Sequence, residues 1–228
     1  MFWTISLLIT AYLAGSIPFG LVLGKIARGV DIRKTGSGNI GTANAVRALG
    51  PFWGGMTLLG DALKATIPVL AAMNLNHWAP GTVPQGLDMW LPPLVGLMAV
   101  LGHNYSLFLG FTGGKGIATS FGVFAAMEWR AALIGFILYL AIISLTKISS
   151  LGSLTGSLSI PVLMVLFRTP LPYTVFAFLA VAMAFYTHRA NIGRLIRGEE
   201  RKITDKAKSL ETPVSGGEKQ EPDNKNSD

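Results

Sequence analysis

AALIGFILYLAIISLTKISSLGSLTGSLSIPVLMVLFRTPLPYTVFAFLAVAMAFYT, residues 131–187, holds only Lys147 and Arg168 as charged side chains. It reads as consecutive membrane-spanning helices, because a span needs roughly 20 mainly apolar residues. Working outward, similar runs occupy 3–24, 51–75, 90–109 and 115–128, and the quoted stretch divides into 131–147, 151–167 and 171–187. These predict an all-α, polytopic integral membrane bundle of about seven spans. The fourth run ends at Glu128, only Trp129 and Arg130 separate it from the fifth, and Pro161 should kink or break the sixth.

Composition agrees. Half of the 228 residues are hydrophobic and 14% are charged, against about 25% charged in a soluble domain. Of the 12 acidic residues, only Asp31, Asp61, Asp88 and Glu128 precede residue 188. The net charge of +7 is divided among short loops. It forms no continuous groove for nucleic acid and suits phosphate groups and lipid headgroups. There is no cysteine, and the three histidines form no cluster at metal-ligand spacing.

Lys25, Arg28, Arg33, Lys34 and Arg47 follow the first run, whereas 76–89 contains no Lys or Arg. The positive-inside bias therefore predicts an external N-terminus, a cytoplasmic C-terminus and working loops on the cytoplasmic face. A transmembrane domain over 1–203 precedes a polar segment, 204–228, whose composition predicts disorder.

Three clusters could carry chemistry. In the first, Gly36-Ser37-Gly38-Asn39-Ile40-Gly41-Thr42-Ala43-Asn44 with Arg47, glycines free backbone N–H groups to line an anion-binding concavity. Arg47 adds a guanidinium fork. A plain helix–helix turn anchored by Arg47 is the blander reading. In the second, Gly113-Gly114-Lys115-Gly116, with Thr119 beyond, a glycine turn with one lysine opens a helix. It lacks the spacing of a nucleotide-binding P-loop, and a flexible turn with a snorkelling lysine is the alternative. In the third, His188 and Asn191 lie three apart, so a helix puts them on one face. His103, and Asp61 with Lys64 at i, i+3, lie within apolar runs and read as paired structural groups.

No His-x-x-x-x-Asp pair, no Gly-x-Ser-x-Gly elbow and no carboxylate pair for two metal ions occurs in the loops. An acyl donor that arrives already activated fits such a set.

Together GSIPFG (15–20), DIRKTGSGNIG (31–41) with Arg47, GHNYSLFLGFTGGKGIAT (102–119) and HRANIGRLIRGEERKI (188–203) resemble the bacterial acyl-phosphate:glycerol-3-phosphate acyltransferase family, PlsY. The resemblance runs in order from about residue 8 to 203. It implies transfer of a fatty acyl group from acyl phosphate to the 1-hydroxyl of glycerol 3-phosphate, with no cofactor, in a bacterial cell membrane. It implies coupling to the soluble enzyme that makes acyl phosphate. Ser37, Arg47, Lys115, His188 and Asn191 match the family's essential residues, and Glu200 matches its glutamate. Phosphate binding is assigned to Gly36, Gly38, Asn39, Arg47, Gly113, Gly114, Lys115, Gly116 and Thr119; catalysis to Ser37, His188 and Asn191; support to Asn44, His103 and Glu200. The family usually reads Gly-Ala-Thr-Asn where this chain has Gly41-Thr42-Ala43-Asn44, and has proline where Ser106 stands. A transporter of a phosphorylated solute is the competing reading, disfavoured by the absence of an internal repeat.

Overall fold

The computed structural model describes residues 2–205. Most of the polar segment from 204 onward therefore lies outside the described residues. Helices α1 (Phe2–Ser16) and α2 (Phe19–Arg28) replace one continuous first run. They bend by 42° at Ile17-Pro18, where proline removes an N–H donor and disfavours a helical conformation in the residue before it. Next come α3 (Thr42–Leu49), α4 (Pro51–Trp78), α5 (Leu91–Asn104), α6 (Ile117–Met127), α7 (Trp129–Thr146) and α8 (Ser149–Leu166). The last two, α9 (Leu171–Thr187) and α10 (Arg189–Ile196), bend by 62° at His188.

Three of these helices, α4, α7 and α8, are long and apolar enough to cross a membrane, or up to five if each bent pair counts as one span. The run 90–109 is helical only to Asn104. There the Ser106 hydroxyl donates to the Ser16 carbonyl at 2.6 Å, and Gly110 takes a left-handed φ of 63°. Pro161 leaves α8 unbroken, since neighbouring helices re-satisfy a freed carbonyl in such bundles.

The bundle packs α1 on α5, α4 on α6 and α7 on α8, with α9 against α8. Small residues allow the close approaches. A Cβ on Gly122 would run into the Ala62 carbonyl, and one on Gly156 would come 2.7 Å from that of Gly135. The core joins Val69, Val95, Val123, Met164 and Phe176. Outward-facing Leu133, Ile137 and Leu140 stay exposed, as a lipid-facing wall requires. Inside, Lys64 meets Asp61 at 2.7 Å, both buried, so the pair neutralises itself.

Candidate functional site

A cavity of about 350 Å³ opens where α3, α6, α8, α9 and α10 converge. Its polar end is built from the first loop upward. Gly36 and Gly38 take left-handed φ values of 59° and 70°, which glycine adopts without steric cost. Asn44, buried on α3, organises the turn. Its amide nitrogen donates to the carbonyls of Ile32 (2.8 Å) and Asn39 (2.9 Å), and its oxygen accepts from the Ser37 amide at 2.9 Å. Asn39 in turn accepts from the Gly41 amide at 2.9 Å. Several amides thus hold the loop's own shape. The groups left to face the cavity are those on Ser37, Asn39 and the first turn of α3.

The second turn is built differently. The Gly114 amide donates to the His103 carbonyl at 3.0 Å. A Cβ on Gly114 would collide with the His103 ring, and one on Gly113 with the His103 carbonyl. These glycines permit close packing, and the Gly114 amide is engaged by the His103 carbonyl. His103 is itself fixed, with Nδ1 2.9 Å from Lys64 Nζ. Lys64 also donates to the Ile17 carbonyl at 2.7 Å, at the α1–α2 break. The result pushes Lys115 into the cavity, where Nζ donates to Asn191 Oδ1 at 2.5 Å.

The third cluster continues from that contact. Asn191 donates to Glu200 Oε1 at 2.5 Å, Ser150 donates to the same oxygen at 2.8 Å, and Arg194 Nε donates to Oε2 at 2.7 Å. His188 donates from Nδ1 to the Ala184 carbonyl at 2.8 Å. That bond fixes the tautomer and leaves the Nε2 lone pair for a substrate. Segment 200–203 straps the rim. Arg47 donates to the carbonyls of Lys202 (3.0 Å) and Arg201 (3.3 Å), Arg201 donates to the Gly36 carbonyl, and the Ile203 amide donates to the Lys147 carbonyl at 2.7 Å.

Electrostatics follow from burial. Burial, against the opposing pull of Glu200, lowers Lys115 to about 8. Burial and then the Lys115 charge lower His188 to about 4, so its ring is neutral at pH 7. Burial and the adjacent Arg201 push Arg47 downward, though a guanidinium keeps its charge. Burial would raise Glu200, but the hydrogen bonds from Asn191, Ser150 and Arg194 prevail and hold it below its ordinary value.

One cavity wall therefore gathers Gly36, Ser37, Asn39, Asn44, Arg47, His103, Lys115, Gly116, His188, Asn191 and Glu200. Gly38, Gly113, Gly114 and Thr119, expected to bind phosphate, are not in that wall. Thr119 turns a fully buried hydroxyl into the packing instead. Sequence reasoning named Thr42 in the first cluster but gave it no role, and its hydroxyl is buried without a hydrogen-bond partner in the wall. It missed Ser149, Ser150, Ser153, Arg194 and Arg201. The serines left a signal: hydroxyls clustered within an apolar run.

Comparisons with known proteins give the chain's family and fold. A family model described as Glycerol-3-phosphate acyltransferase matches residues 5–198. A glycerol-3-phosphate acyltransferase of Anaeromyxobacter dehalogenans (strain 2CP-C) is 45% identical over 201 residues, covering 86% of this chain and 96% of its own. One from Thermus thermophilus is 44% identical over 209 residues, covering 91% and 97%. Among solved structures, the crystal structure of PlsY (YgiH), an integral membrane glycerol 3-phosphate acyltransferase, is 39% identical in its glycerol 3-phosphate form. It superposes with a TM-score of 0.79 over 87% of this chain and 94% of that one. The lysophosphatidic acid form gives 0.78 at the same identity and coverage.

Proposed function

Because this chain belongs to the glycerol-3-phosphate acyltransferase family, we propose that it transfers a fatty acyl group from acyl phosphate to the 1-hydroxyl of sn-glycerol 3-phosphate. The products are lysophosphatidic acid and inorganic phosphate. The observation that carries this reading is the meeting of Ser37, Arg47, Lys115, His188 and Asn191 in one wall, above a cavity that continues between apolar helices.

Two phosphates must sit side by side there, and their repulsion has to be offset. Lys115 and the remaining donors of Arg47 supply charge. The N-terminal turns of α3 and α6 both border the cavity and direct positive dipole ends at it. The glycerol hydroxyl oxygen attacks the acyl carbonyl carbon. The new C–O bond forms as the bond to the donor phosphate breaks, and phosphate leaves with the electron pair. Ser37 and Thr42 supply hydroxyl donors to the phosphate or to the developing oxyanion. His188, lowered to about 4, is too weak a base to take the proton efficiently at neutral pH. It accepts a hydrogen bond from the attacking hydroxyl and orients it, and the proton passes to the departing phosphate. Acyl phosphate is already activated, so positioning supplies most of the acceleration.

The direct test is a donor assay on detergent-purified protein. Lysophosphatidate forms from acyl phosphate without Mg²⁺ and without acyl-CoA; strict dependence on a thioester rejects the donor.

We further infer a bacterial cell membrane location with seven spans, whose orientation the positive-inside bias supports. These are the α1–α2 pair, α4, α5, α6, α7, α8 and α9, with the N-terminus outside and the site facing the cytoplasm, within reach of a soluble enzyme that makes acyl phosphate. The chain has no cysteine, so Gln85→Cys and Arg197→Cys are clean single labels. An impermeant thiol reagent reaches the first in intact cells and the second only in inverted membranes; the reverse pattern overturns the topology.

A further inference from the structure

The cavity does not stop at its polar end. Along α8 it is lined from Ser149 down to Ile160, and along α9 from His188 down to Ala180. At 1.5 Å per residue these stretches descend roughly 16 Å and roughly 12 Å. On α6 the deepest lining residue is Phe124, and on the antiparallel α7 it is Ala132. On each of these four helices the lining stops there, and the four last residues belong to one buried cluster. Phe124, Ala132, Ile160 and Ala180 are only 3%, 2%, 5% and 4% exposed. One turn beyond them, Met127, Met164 and Phe176 belong to the packed core, and the Phe176 ring lies 5.4 Å from that of Phe124. The shaft has a solid floor.

Its middle is open for a definite reason. A Cβ on Gly135 would lie 2.7 Å from Ile160 Cδ1. Gly135 thus packs against Ile160 and Gly156, whereas the α8 residues that line the shaft above Ile160 are Ser149, Ser150, Ser153, Gly156 and Ser157, all small, so Ile160 is the first bulky side chain of α8 to reach it. The Ser157 hydroxyl, on the same wall, donates to the Leu154 carbonyl at 3.1 Å. Its polar atom is thereby satisfied by backbone.

We propose that the floor formed by Phe124, Ala132, Ile160 and Ala180 is a ruler that sets which fatty acyl chain length this protein transfers. The inference rests on the acyl transfer proposed above, with the headgroup held by Lys115 and His188 and the tail pointing down the shaft. A chain that ends at the floor fills the shaft completely. A shorter one leaves a void, and a longer one has to displace core side chains that are packed at crystal-like density. One methylene too many or too few in such a pocket is worth about 10-fold or more in discrimination.

The test compares kcat/KM for dodecanoyl, tetradecanoyl, hexadecanoyl and octadecanoyl phosphate on the full chain. Ile160→Ala lowers the floor and moves the ratio of octadecanoyl to dodecanoyl transfer toward the longer donor by roughly 10-fold. Ala180→Leu raises the floor and moves the same ratio the other way. KM for glycerol 3-phosphate stays put in both. Should Ile160→Ala fail to fold, Ile160→Val shifts the ratio in the same direction by a smaller factor. Ratios unchanged in all folded variants, with transfer intact, overturn the ruler alone. Wild-type protein that uses none of the four donors overturns the acyl phosphate reading and the ruler with it.

Discussion

The two glycine turns border the same cavity and are built on opposite principles. The turn at 36–41 is shaped from within: Gly36 and Gly38 adopt left-handed φ, and the Asn44 side chain ties the loop by hydrogen bonds. The turn at 113–116 is shaped from outside, with Gly113 and Gly114 pressed against the backbone and ring of His103. The same residue type therefore serves conformation in one place and close approach in the other. Only the second turn drives a charged side chain, Lys115, into the cavity. The first contributes hydroxyls and a helix start.

The difference can be broken experimentally. Lys115→Ala removes the charge that the second turn delivers, and kcat/KM for acyl transfer falls by about 10²–10³-fold; a loss under tenfold rejects a phosphate role for it. Gly114→Ala moves that lysine by forcing the turn off His103, at a cost of about 100-fold in kcat. Adding His103→Ala gives part of it back, because the clash is with the ring. Gly38→Ala has no such suppressor, since its penalty of about 1–2 kcal/mol lies in its own φ. Steady-state kinetics on the three variants decides this. Asn44→Ala leaves the Ser37 amide and two carbonyls without their partner, costing about 1–3 kcal/mol per buried orphan. A lowered thermal midpoint reads this out.

pH provides a milder perturbation. The lowered Lys115, at about 8, is protonated below that pH and loses its charge as pH rises through it. kcat/KM reports the free enzyme and falls by about tenfold per unit above that point. Bound phosphate raises the lysine again, so kcat holds to higher pH. Identical kcat and kcat/KM profiles contradict the assignment. Smallest of all, Thr42→Val removes one unpartnered hydroxyl and lowers kcat a few-fold, about the worth of one neutral hydrogen bond.

Much of this was legible in one dimension. The apolar runs fixed the class, because a chain with so little charge cannot cover a soluble surface. The Asp61–Lys64 spacing predicted a neutralised pair, and 2.7 Å separates them. The clusters around Ser37, Lys115 and His188 stood out as polar islands between apolar helices, and they share a cavity. Lost to the sequence were the duties of individual groups. Arg47 reads as a phosphate ligand, yet two of its contacts hold the 200–203 strap. Thr119 reads as a ligand and is packing. Ser153 reads as part of a span and is cavity wall.

Sequence by itself determined a helical, lipid-facing chain with polar, glycine-rich and basic islands between its apolar runs, because hydropathy and charge act locally along the chain. Which glycines open a backbone and which make room for a neighbour, where Lys115 ends up, and how deep the shaft runs were decided by tertiary structure alone. Those properties depend on contacts between residues far apart in the chain, such as Lys115 with Asn191 and Arg47 with Lys202. No periodicity or motif encodes a distance that exists only once helices have packed.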